Sequence, residues 1–123
     1  MAAKAQHDYA AYLFQLGLHE DAVKHLDEVL RTEETAEYWN DWATAQFALK
    51  HFPEAERGFR RSLELNPDLP DTAVNFGVML GAQSRWIEAA EMLESALPKL
   101  DAKGQATVSG LAQQCRAQLG AGS

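Results

Sequence analysis

Four histidines, one cysteine and several clustered acids and bases are the residues of this 123-residue chain whose chemistry could go beyond folding. Histidines invite a metal, yet His7, His19, His25 and His51 form no His-x3-His pair and no His-Glu-x-x-His segment, the spacings that turn two imidazoles toward one ion. Cys115 stands alone, so it can enter neither an intrachain disulfide nor a cysteine-based zinc site. Paired carboxylates do acid–base work when an apolar neighbour splits their protonation; Glu33-Glu34 and Glu54 with Glu56 have none nearby and read as solvated helix ends. Ser62, Ser84, Ser95 and Ser109 lack a histidine at a useful spacing, and no Gly-x-Gly-x-x-Gly or Walker-type loop is present. The basic run from Arg57 to Arg61 could hold an anion, but a solvated outer face is the simpler expectation. There Glu56 and Arg60 pair at i, i+4 for roughly a few tenths of a kcal/mol. The chain is therefore expected to be no enzyme and to need no metal or cofactor.

The elements that carry these residues are helices. Apolar residues recur at helical spacing in nearly every segment, and strand-like alternation and hairpin dipeptides such as Asn-Gly are absent. Gly17 ends a first helix, the stretch from Thr32 to Thr35 separates the next two, and Pro53 lies near the start of a fourth. Asn66-Pro67 and Leu69-Pro70 mark the following turn, with Pro70 opening a helix where its missing N–H costs nothing. Seven helices are predicted. The last, over residues 103–119, has Val108, Leu111, Ala112, Cys115 and Leu119 on one stripe and Gln113, Gln114, Arg116 and Gln118 mostly elsewhere.

These helices repeat. Trp39, Ala55, Phe59 and Ser62 are answered 34 positions later by Ala73, Ala89, Leu93 and Ala96, and Ala22 precedes Ala55 by 33. Trp39-x2-Trp42-Ala43 followed by Ala55-x3-Phe59-x2-Ser62 and Pro67 resembles the tetratricopeptide repeat (TPR). The resemblance implies an all-α fold, an α-solenoid of three TPR helix hairpins with a right-handed superhelical twist. The repeats span about 3–35, 36–69 and 70–101, and a C-terminal capping helix with a flexible tail covers 102–123, loose from Gly120 to Ser123. Small residues at Ala10, Ala43 and Gly77, and at Ala22, Ala55 and Ala89, let neighbouring helices approach closely. His19, like Phe52 and Trp86, takes the place of the tyrosine usual near the start of the second helix and is read as a packing residue.

In this family the first helix of each pair lines a concave groove that binds partners. Carrying the groove positions over gives His7, Ala11 and Phe14, then Glu37, Asn40, Asp41, Thr44 and Phe47, then Asp71, Val74, Asn75 and Val78. One branch grips the carboxylate tails of heat-shock chaperones with lysine, arginine and asparagine. The matching positions here hold His7, Ala11, Asp41, Asp71 and Asn75, which disfavours that ligand.

Charge points the same way. Eleven basic against eighteen acidic residues give −7, and residues 1–49 alone hold three bases and nine acids. Such a field repels phosphate backbones and anionic lipid, so nucleic acid and membrane are not expected. A protein or peptide with apolar anchors and basic residues is. The lone cysteine and the absence of an apolar leader imply a cytoplasmic protein. Alternatives are a self-associating homo-oligomeric scaffold, a TPR segment of a larger bacterial enzyme such as a glycosyltransferase, and a protein resembling the type III secretion chaperones.

Overall fold

The computed structural model describes residues 2–121, and every long regular element among them is an α-helix. The chain divides into two compact units, Met1–Pro67 and Asp68–Ser123. In the first, α1 (Ala3–Gln15) packs on α2 (His19–Thr32), α2 on α3 (Ala36–Ala48), and α3 on α4 (Phe52–Leu65). In the second, α5 (Pro70–Ala82) packs on α6 (Trp86–Ala96), and α6 on α7 (Ala102–Ala121), with a short 3₁₀ turn at Leu97–Lys99 between the last two. No helix among the described residues is long and apolar enough to cross a membrane.

One turn design closes each hairpin. After α1, Gly17 takes φ +81°, its N–H donates to Phe14 O (2.9 Å) and the Leu18 N–H donates to Leu13 O (2.9 Å). This is the Schellman arrangement, which satisfies carbonyls that the helix end would otherwise orphan. Lys50 (φ 63°) and Ser84 (φ 60°) sit in the same left-handed conformation, with His51 and Arg85 donating back to Gln46 O and Leu80 O at 2.9 Å. Helix starts are equally local. The Thr35 hydroxyl accepts from Tyr38 N (3.1 Å), Pro53 and Pro70 occupy first-turn positions, and Asp101 Oδ1 accepts from Gly104 N (2.8 Å).

Each core follows from the repeat pattern. Ala22, Ala43, Ala55 and Phe59 are fully covered in the first unit, as are Ala89, Leu93 and Ala96 in the second. A ring such as Phe59 contributes about 1.5–3 kcal/mol by leaving water. Close approach explains two glycines. A Cβ at Gly58 would fall 2.7 Å from Trp42 and one at Gly77 2.6 Å from Leu93. Polar anchors reinforce the packing: Trp42 Nε1 donates to Asp27 (2.7 Å) and Ser62 Oγ to Ala36 O (2.7 Å).

Several expectations change. Leu119, placed on the apolar stripe of α7, is 37% exposed, because the covered stripe ends at Cys115. The C-terminal segment read as loose stays helical through Gly120 to Ala121, while Gly122 and Ser123 lie outside the described residues. Glu34 is no mere solvated helix end. It accepts from Trp39 Nε1 (2.9 Å) and from Arg61 Nε (3.4 Å), and those hydrogen bonds hold its carboxyl below the usual range. The basic run forms its expected pair, Arg60 with Glu56 (2.9 Å), and is engaged further than expected: Arg57 lies over the Trp42 ring (5.5 Å) and Arg61 also reaches Glu64 (3.0 Å).

Candidate functional site

A hollow of about 170 Å³ opens where α1, α2 and α3 meet. Its walls include five of the residues expected to face a partner: His7, Ala11 and Phe14 from α1, and Asp41 and Thr44 from α3. Helical geometry puts them there, since residues 7, 11 and 14 share one face of α1 and residues 41 and 44 one face of α3. Leu26 of α2, with Ala10, supplies the apolar floor.

His7 sets the polarity of this hollow. Its Nε2 is hydrogen-bonded to the Asp41 carboxylate, Nδ1 lies 3.8 Å from Asp8 Oδ1, and the ring packs at 4.7 Å on Tyr38. One imidazole thus faces two carboxylates from two helices. The same face carries Phe14, half-buried against His19 at 4.6 Å, which gives His19 its packing role. Thr44 Oγ donates to Asn40 O (2.8 Å).

The other expected residues lie outside this hollow. Glu37 is exposed on the first turn of α3. Asn40 is only 7% exposed, so its side chain belongs more to the core than to a free surface. Phe47 is half-buried, its ring 6.1 Å from Phe52 at the start of α4. On α5, Asp71 and Val78 are exposed and Val74 and Asn75 half-buried. Of these four, Val78 borders a second hollow of about 270 Å³ formed by α5, α6 and α7.

Sequence reasoning missed the α7 wall of that second hollow. Leu111, Gln114, Cys115 and Gln118 line it, although the helix was expected to serve as a cap. The signal was available in register: the interval from Thr44 to Leu111 equals that from Ala11 to Val78, so α7 stands to α5 as α3 stands to α1. Cys115 is buried and free, and burial raises its thiol above the ordinary range. Among the described residues no three His, Cys, Asp or Glu side chains gather in a way that could hold a metal ion.

Comparison with known proteins follows this architecture. The family described as the middle TPR-like domain of cilia and flagella-associated protein 70 matches residues 15–118. Among solved structures, the TPR2B domain of yeast Sti1, described as a complex with pHsp70, superposes with a TM-score of 0.86 at 23% identity, covering 94% of this chain and 97% of that one. The Yersinia enterocolitica type III secretion chaperone SycD, in complex with a peptide of the translocator YopD, gives 0.86 at 14% identity over 94% of this chain and 92% of that one. The first TPR domain of human RPAP3 gives 0.83 at 18% identity over 94% and 93%. No curated protein matches the chain at a significant level. The repeat spacing, the recurrent hairpin turn and the match over most of its length lead to one conclusion: the chain belongs to the TPR-like family represented by the middle domain of cilia and flagella-associated protein 70.

Proposed function

We propose that this chain is a non-catalytic interaction module of the cytoplasm, holding a peptide or protein partner on the exposed faces of α1 and α3. The observation that carries this reading is the first hollow, an apolar floor under His7, Asp41 and Thr44 with Glu37 exposed on the same helix as Asp41. An apolar side chain of the partner fills it, and a lysine or arginine beside that side chain meets the carboxylates. The Sti1 domain is described in complex with pHsp70 and SycD in complex with a peptide of YopD, which supports an interaction role of this general kind. The acidic tails of heat-shock chaperones are a poor match, because Asp41 and Asp71 stand where a basic clamp would be needed. A free thiol suits a reducing compartment.

Selection from a displayed peptide library on the whole chain tests the reading. Enriched sequences should place a basic residue next to a leucine-like or aromatic one. Ala11→Trp, which plugs the hollow, and Glu37→Lys should each lower their affinity about tenfold or more with the helical signal and melting midpoint unchanged. Enrichment of acidic peptides, or indifference to both substitutions, contradicts it.

A further inference from the structure

We propose that the hollow between α5, α6 and α7 seats a single aromatic side chain of a partner peptide, a phenylalanine-sized ring carried on uncharged main chain. The inference rests on reading the chain as a partner-binding module, but it uses residues the first hollow does not share.

Three observations point to this occupant. First, none of the residues lining this hollow is charged, in a chain whose net charge is −7. In the register that matches Ala11 to Val78, the positions equivalent to His7 and Asp41 hold Val74 and Val108. An uncharged guest complements a lining without charged groups, whereas burying a lysine there would leave its charge without a partner. Second, the position equivalent to Phe14 is Gly81. In the first unit that phenyl ring packs on His19 at the start of α2; in the second the ring is missing, and Trp86 stands where His19 stood. A Cβ built at Gly81 would meet nothing closer than Cys115 Sγ at 3.7 Å and would lie 4.0 Å from Trp86. The glycine is therefore not imposed by crowding, unlike Gly77. The second hollow measures about 270 Å³ against about 170 Å³ for the first, the direction that loss of a ring demands. The partner supplies in trans the aromatic group that the repeat lacks, stacked against Trp86. Third, Gln114 and Gln118 are exposed, lie one turn apart on α7 and border the same hollow. Their amides can donate to and accept from the main chain of an entering peptide, fixing its direction without asking for charge.

The test uses the full chain, ¹⁵N-labelled, with N-acetyl-phenylalaninamide as the probe and the lysine analogue as control. The Gly81 amide, the Trp86 indole N–H and the Gln118 side-chain amide should shift, with an apparent affinity about tenfold or more above that for the lysine compound. Gly81→Phe, which places a ring in cis, should weaken the response about tenfold while leaving circular dichroism unchanged. If that variant fails to fold, Leu111→Lys serves as the blocking change. Equal response to the lysine compound, shifts confined to the surroundings of Ala11 and Thr44, or undiminished binding by the blocked variant overturns the proposal. Shifts at Gly81 and Trp86 that track protein concentration alone identify a second copy as the occupant and overturn it as well. Failure of basic peptides at the first hollow leaves this result readable, because the two hollows share no residue.

Discussion

The hollow of the first unit and the hollow of the second are one construction executed twice with different side chains. Ala10, Leu26 and Thr44 become Gly77, Leu93 and Leu111 at one constant offset, so the backbone frame is held while its lining changes. What changes is polarity and filling: His7 and Asp41 line the first hollow whereas no charged residue lines the second, and Phe14 gives way to Gly81. The repeat therefore fixes where a hollow can form, and a handful of inward positions decide what lines it.

The comparison breaks most severely in the cores of the two units. Phe59 and Leu93 occupy the same position in successive repeats and are both buried, at 0% and 1% exposure. Phe59→Ala should cost about 3–5 kcal/mol and Leu93→Ala about 2–5 kcal/mol in urea unfolding, with Phe59→Ala perturbing mainly the first unit and Leu93→Ala the second. Equal loss of structure in both units from either change would mean that the units do not have separate cores.

A smaller effect sharpens the comparison at the turns. Gly17, Lys50 and Ser84 adopt the same left-handed backbone, yet only the first is glycine. Lys50→Gly and Ser84→Gly should each stabilise by about 1 kcal/mol, and Gly17→Ala should destabilise by a similar amount. Thermal midpoints check the signs. A loss of stability in both glycine variants would show that those side chains contribute more than their strain costs.

The smallest effect is electrostatic and confined to the first unit. Hydrogen bonds from Trp39 and then Arg61 depress the Glu34 carboxyl, so the folded state holds its proton less readily than the unfolded chain. Glu34 therefore contributes stability that is complete above the ordinary carboxylate range and lost as pH falls through its lowered folded value. Glu34→Gln should lower the melting midpoint near neutral pH and converge with the wild type in acid. A difference that grows on acidification would reverse the assignment.

Much of the fold was legible because it is written locally. Proline at helix starts, Gly17 at a helix end and small residues at fixed spacing each leave a mark in sequence. The first hollow was legible in part. His7, Ala11, Phe14, Asp41 and Thr44 lie together because equivalent faces of α1 and α3 border one hollow. The burial of Asn40 was not legible, since an asparagine on a helix face gives no sign of which neighbour will cover it. Nor was the grip on Glu34, whose partners Trp39 and Arg61 come from two different helices. The α7 wall was hidden by its composition: glutamines beside a short apolar stripe look like a solvated cap, and only the register of α7 against α5 shows a lining.

The central claim, that one frame presents two chemically distinct seats, is tested most directly by titrating the ¹⁵N-labelled chain separately with two short peptides of equal length. One carries a lysine beside a leucine, and the other a single phenylalanine without charge. The account predicts that the first moves amides around Ala11 and Thr44 and the second those around Gly81 and Cys115. Both peptides perturbing one and the same set, or neither set responding to either, would contradict it.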